Sequence, residues 1–201
     1  YIFMIINNFT IKEILGSALS KTKENAWFLF CLFVAVFAIT GAVHRIEIIN
    51  FIVAMIVGIS IIAVSLSIEN NKKPVFEDLT KSFKSYKIFL NYILSSLLYT
   101  VIVILGTILL ILPGIYLAVR LSFYRYIVVE KENIGVIDAL KESMKITQNR
   151  FWKIFGFMLV LILINILGVI PFGLGLIVTI PLSVIAVALV YRKLEHHTHL
   201  V

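Results

Sequence analysis

Charge is scarce in this chain. Only 14% of its 201 residues are charged, against 61% hydrophobic, whereas soluble domains hold about a quarter charged and about half apolar residues. A soluble domain of this size cannot hide so much apolar surface in one core, so the composition belongs to the membrane class. Cysteine is nearly absent: Cys31 is alone, which excludes an intrachain disulfide and a thiolate metal cluster. Lying in an apolar run, it reads as an inert packed thiol. Acids are missing where they would count most, since no Asp or Glu lies inside any long apolar run. Proton-coupled transporters need a buried carboxylate or histidine relay, so an ion-coupled pump is disfavoured. No serine–histidine pairing, metal-ligand cluster or nucleotide fingerprint appears, and the chain reads as non-enzymatic, with no metal and no cofactor.

What is present is apolar length. A hydrocarbon core of about 30 Å needs about 20 apolar residues as a helix. Such runs are Ala26–Val43, Ile48–Ile68, Ile88–Leu112, Ile115–Val129, Trp152–Ile170 and Leu174–Tyr191. The fourth is the shortest and carries Arg120 and Arg125. Breaks inside a membrane must be turns between helices, because unpaired backbone groups cannot face lipid. Pro113-Gly114 and Pro171-Phe172-Gly173 read as two such turns, and His44-Arg45-Ile46-Glu47 serves as a third by polarity. The expected fold is therefore an all-α membrane protein with six transmembrane helices in three hairpins.

Each hairpin follows a short stretch that predicts a cytoplasmic, interfacial amphipathic helix. The first opens at Thr10 and Glu13 in capping-box spacing, with Ile11, Ile14, Leu15, Ala18 and Leu19 on one face. The second opens at Pro74, with Phe76, Leu79, Phe83 and Tyr86 opposed by Lys81, Lys84 and Lys87. In the third, from Gly135 to Gln148, Val136, Leu140, Ser143, Met144 and Thr147 oppose Asp138, Lys141, Glu142 and Lys145. The three align without gaps through Leu15, Leu79 and Leu140, and through Leu19, Phe83 and Met144. Between the first and third the match continues through Thr22/Thr147, Trp27/Trp152 and Phe30/Phe155. One integral membrane domain over 1–201, built of units at about 10–68, 74–130 and 135–194, is the simplest account.

The net charge of +7 comes from lysines and arginines on one set of loops. The opposite loops carry Arg45 alone. That asymmetry predicts an inner (cytoplasmic) membrane protein with both ends in the cytoplasm. It also assigns the basic surface to anionic headgroups rather than to nucleic acid. Trp27, Trp152, Lys81, Lys84, Lys87, Lys141 and Lys145 read as interfacial anchors. Residues 1–9 read as a surface-lying stub with no signal-peptide pattern. Residues 195–201 read as a tail resembling an expression-tag remnant, whose histidines lack the second shell a metal site needs.

Arg120 is the most informative residue. It sits about 9 Å beyond Pro113-Gly114 at 1.5 Å per residue, and helical spacing aligns Tyr116, Arg120 and Tyr124. Its acceptors are Asn165, Thr179, carbonyls near a helix break, or a lipid phosphate, which arginine grips with paired hydrogen bonds. Two readings stand: a structural arginine, bonded to carbonyls or snorkelling beside Arg125, or an anionic-lipid site formed by Arg120, Tyr116, Tyr124, Arg125 and Asn165. Asn165 by itself reads as interhelical glue, and Gly168, Gly173 and Gly175 as positions of close packing.

The segment Leu112–Leu194 resembles a known group. It carries Leu112-Pro113-Gly114, Tyr116 with Arg120, Ala139-Leu140-x-x-Ser143, Trp152, Gly173-x-Gly175, Pro181 and Tyr191-Arg192. These features are similar to those of uncharacterised bacterial and archaeal six-span proteins related to the membrane domain of glycerophosphodiester phosphodiesterases. In that group the hydrolase is a separate soluble barrel, so the resemblance implies a membrane module tied to lipid metabolism or the envelope, with no catalytic residue to carry over. The function expected is binding or organising anionic lipids or a membrane protein partner, with homo-oligomerisation also open. A transporter or flippase for a phosphate-bearing lipid is the alternative, and it requires a polar path through the bundle.

Overall fold

A computed structural model describes residues 10–43, 47–75, 86–109, 111–170, 173 and 175–198. Among these residues every regular element is helical: α1 (Ile11–Glu24), α2 (Ala26–Val43), α3 (Glu47–Glu69), α4 (Tyr86–Leu109), α5 (Ile111–Leu121), α6 (Tyr124–Glu130), α7 (Val136–Ile146), α8 (Phe151–Val169) and α9 (Leu176–Thr198). Five stretches are long and apolar enough to cross a membrane: Ile49–Glu69, Tyr86–Ile108, Ile111–Glu130, Phe151–Val169 and Leu176–His196. A sixth candidate is the pair α1 and α2, bent by 80° at Asn25. This is the pattern of a multi-pass membrane protein. Its outward side chains are apolar, Phe37 at 74% and Ile108 at 75% exposure among them, a surface that lipid tolerates and water does not. Cys31 lies on that outside and is exposed, not packed as expected.

The fourth apolar run is not one straight helix. It breaks at Ser122 and Phe123, and α6 then turns into the centre of the molecule. Tyr124, Tyr126, Ile127, Val128 and Val129 are all buried there; the last four pack with Ile59 of α3, Phe157 of α8 and Ile185 of α9, and Tyr124 packs in a second cluster with Leu121 and Leu140. The chain reversal before α5 also differs from expectation. α5 begins at Ile111, so Pro113 lies in its first turn rather than between helices, where its missing N–H costs nothing. Gly114 is a contact rather than a turn: a Cβ there would sit 2.2 Å from Thr107 Oγ1 and 2.8 Å from the Thr107 backbone. Gly168 and Gly175 do the same between α8 and α9, a Cβ on Gly175 falling 2.6 Å from the Gly168 carbonyl oxygen. Gly173 turns with φ of +80°, a conformation glycine adopts freely.

Ions close one end. Arg192 of α9 pairs with Glu69 at the end of α3 (3.1 Å), with Glu130 at the end of α6, and with Glu195 (3.2 Å). The Tyr191 hydroxyl donates to Glu130. Lys131 joins Glu142 of α7, and Lys193 joins Glu13 of α1. Lys21 Nζ donates to the Ile68 and Glu69 carbonyls (2.9 and 3.0 Å), satisfying the last turn of α3. The ends of α3, α6 and α9 thus meet at the same end of the bundle. Residues 195–198, expected as a tail, continue α9, and Glu195 belongs to this network.

The buried faces of the two short helices lie slightly off the expected ones. Ile14, Ala18 and Thr22 are buried on α1, and Ala139, Leu140, Ser143 and Ile146 on α7. Leu19 and Met144 stand on the rim, 39% and 37% exposed. The second predicted amphipathic stretch, with Lys81 and Lys84, lies outside the described residues, as do Arg45 and the 1–9 segment.

Candidate anion-binding site

The break after α5 is held by α7. Helix interruption strips Phe123 N–H and Arg120 C=O of regular partners, and two buried hydroxyls replace them. Ser143 Oγ accepts from Phe123 N (3.2 Å) and donates to Arg120 O (3.1 Å). Thr147 Oγ1 also reaches Arg120 O, at 3.0 Å. Both side chains are fully buried. The serine of the Ala-Leu-x-x-Ser signature therefore clamps the helix break, and in doing so fixes Arg120 at the junction of α5, α7 and α8.

The guanidinium of Arg120 donates from Nη2 to the Met144 carbonyl at 2.7 Å and lies 5.6 Å from the Tyr116 ring centre. Its Nε is buried and has no partner. A carbonyl in the last turn of α7 is thus the acceptor, and neither Asn165 nor Thr179 is. Beside it opens a cleft of about 360 Å³, walled by Tyr116, Arg120, Asn149, Arg150, Trp152 and Lys153 along with Phe151. Three cations face it and its wall has no carboxylate. Among the described residues the Arg150 side chain has no hydrogen bond or ion pair, and burial pushes it down from its ordinary value. The start of α8 forms the floor. Arg150 is its N-cap and makes no side-chain cap, so the positive end of the helix dipole is left uncovered. Asn149, at φ of +58°, turns the chain from α7 into that start.

An apolar groove of about 570 Å³ adjoins the cleft, lined by the same Tyr116, Phe151 and Trp152 and by Leu112, Pro113, Ile115 and Phe155. Tyr116 and Phe151 rings pack at 5.1 Å. Loop charges put Pro113-Gly114 and Trp152 on opposite membrane faces. The groove instead joins them in one neighbourhood, because the start of α8 lies beside α5 rather than at the far end of the Ile111–Glu130 stretch.

Other expected site residues go elsewhere. Helical spacing aligns Tyr124 with Tyr116 and Arg120, but the break at Ser122–Phe123 rotates it away. Tyr124 is buried, stacks on Tyr99 at 5.0 Å and donates to Ser96 Oγ at 3.0 Å. Arg125 follows it, donating from Nε to the Tyr124 hydroxyl at 2.8 Å and lying 6.0 Å from the Tyr92 ring. Asn165 joins α8 to α9, donating to Leu161 O and to Ser183 Oγ at 2.8 Å, and it does not line the cleft. Trp27 and Trp152 are 78% and 79% exposed. Lys87, Lys141 and Lys145 are also exposed. Arg150 and Lys153, the two cations that complete the cleft, read from sequence alone only as loop charges. Their signal in the sequence is their place on either side of Phe151-Trp152.

Residues 99–198 match the family described as Protein of unknown function (DUF975), which ties this half of the chain to an uncharacterised family. No curated protein and no solved structure matches the chain. The family's description makes no connection to glycerophosphodiester phosphodiesterases.

Proposed function

We propose that this protein is a non-enzymatic membrane module that holds an anionic lipid, headgroup at Arg120, Arg150 and Lys153 and acyl chain along the neighbouring groove. One observation carries the reading. A cationic cleft adjoins an apolar groove, and Tyr116, Phe151 and Trp152 line both. An amphipathic anion fits such a surface, whereas a soluble anion uses only half of it. The wall offers guanidinium, ammonium, amide and aromatic groups, which is binding chemistry. In this reading the units form three hairpins in the inner membrane, each with an interfacial amphipathic helix, and the ion-paired end faces the cytoplasm. The sequence resemblance to membrane domains of lipid-handling hydrolases is in keeping with it. Transport is the weaker reading, since the centre around α6 is filled by Ile59, Ile127, Phe157 and Ile185.

The test is native mass spectrometry of the chain extracted with its own lipids, beside Arg120→Leu. Co-purification of anionic lipid with the parent, and its loss from the variant, is the expected result. The same unselected lipids on both forms would remove the headgroup role from Arg120.

A further inference from the structure

Resting on the lipid-site reading above, we infer that the cleft selects a headgroup bearing a terminal phosphomonoester, a dianion, over the singly charged phosphodiester of ordinary anionic lipids. The argument is one of charge count and of donors left without acceptors. Arg120 and Arg150, neither paired with a carboxylate among the described residues, bring two formal positive charges to a wall that holds no carboxylate, with Lys153 beside them. A phosphodiester, once bound, leaves half of that charge uncompensated beside the buried Arg120 Nε, where unpaired charge is costly. A phosphomonoester brings about two negative charges and three acceptor oxygens at neutral pH.

The donors suit such a terminal group. Arg120 spends Nη2 on Met144 O and keeps a buried, unpartnered Nε. Arg150 has no partner among the described residues. The first backbone N–H groups of α8 lack a side-chain cap and have no carbonyls within the helix to bond. These donors come from three sides, α5, the 149–150 turn and the first turn of α8. A terminal phosphate can turn an oxygen toward each side, whereas a diester has one of its oxygens tied up in a second ester link. The aromatic rim then fixes where the chain leaves, along Leu112, Ile115 and Phe155.

The experiment uses the full chain in nanodiscs of zwitterionic lipid, titrated with phosphatidic acid or with phosphatidylglycerol of matched acyl chains and read by native mass spectrometry. Inorganic phosphate is added in a parallel series. Phosphatidic acid should bind about tenfold more tightly than phosphatidylglycerol, a difference of about 1.4 kcal/mol. Arg150→Gln should cut that preference to about threefold or less, and an unchanged unfolding transition will show that the variant is folded. Equal binding of the two lipids, lost from both in Arg120→Leu, would overturn the selectivity and leave the anionic-lipid site standing. Binding of both lipids that ignores Arg120→Leu and Arg150→Gln alike would overturn both readings. Competition by inorganic phosphate at the same concentration as phosphatidic acid would overturn the lipid in favour of a soluble phosphate.

Discussion

Replacing Ser143 by alanine tests the clamp that positions Arg120. The hydroxyl serves two backbone groups, Phe123 N–H at 3.2 Å and Arg120 C=O at 3.1 Å. The carbonyl keeps Thr147 Oγ1 within reach at 3.0 Å, though that hydroxyl's single proton also has the nearer Ser143 O at 2.7 Å, so the loss falls first on the Phe123 N–H. Phe123 is fully buried, and no water replaces the missing acceptor. An orphaned buried donor costs about 1–3 kcal/mol, and we expect Ser143→Ala to fall near the middle of that range. Ser122→Ala is the control, because its hydroxyl bonds only Val119 O, three residues back on the same turn; it should stay within about 0.5 kcal/mol of the parent. Unfolding by sodium dodecyl sulfate in mixed micelles, followed by far-ultraviolet ellipticity, reads both. The Ser143 effect should also couple to Arg120→Met, since both residues hold the same last turn of α7. Should Ser143→Ala and Ser122→Ala unfold at the same point, the hydroxyl does not hold the break.

Four further outcomes are expected. Gly114→Ala forces a methyl onto Thr107 backbone atoms at 2.8 Å and should cost about 1–3 kcal/mol; Gly156→Ala, with nothing within 4 Å, should be neutral or gain up to about 1 kcal/mol. The same unfolding assay separates them. Asn165→Leu loses its bond to Ser183 but also removes the buried, unpartnered Oδ1. Stability should therefore change by less than about 1 kcal/mol, and lipid co-purification should not change. Arg192→Leu leaves Glu69, Glu130 and Glu195 gathered without their shared cation and should cost about 2 kcal/mol or more. Burial pulls Lys131 down, but its bond to Glu142 and the nearby Glu195 and Glu130 outweigh that and hold it above its ordinary value. Its contribution is then full below the ordinary lysine range and fades as pH rises through the raised one. Lys131→Met should remove that alkaline loss from the parent's stability profile.

Apolar length carries most of the fold, because a bilayer imposes one requirement that composition answers directly. Local geometry is harder to read. A proline-glycine pair reads as a turn, yet Pro113 opens a helix and Gly114 serves contact with Thr107, a distinction set by α4 and not by the pair itself. The break at Ser122–Phe123 has no glycine or proline to announce it. It is supported from α7, more than twenty residues on, by hydroxyls whose role depends on tertiary packing. That hidden break is why Tyr124 and Arg125 leave the predicted face while Tyr116 and Arg120 keep it. Arg150 and Lys153 were legible as charges, but only convergence of α5 with the start of α8 makes them walls of a cleft.

The internal repeat supplies a control for that cleft. Under one fixed offset, Ile14, Ala18, Thr22 and Leu29 correspond to Ala139, Ser143, Thr147 and Ile154, and all eight are buried. Leu19 and Met144 sit on the rim in both copies, and Trp27 and Trp152 project to nearly equal extents. Phe30 and Phe155 each lie 6.2 Å from their tryptophan. The match is not complete, since Leu15 is half-buried where Leu140 is buried and Phe30 is exposed where Phe155 is half-buried; under the repeat reading the positions that do agree form a common scaffold. The charges are not shared. Asn25 and Phe28 stand where the third unit has Arg150 and Lys153. A cation pair required merely to seat such a helix at a membrane surface would be expected in both copies. Their presence beside Arg120 and the apolar groove, with Asn25 and Phe28 at the corresponding positions of the first unit, fits the proposal that Arg150 and Lys153 serve what the cleft binds.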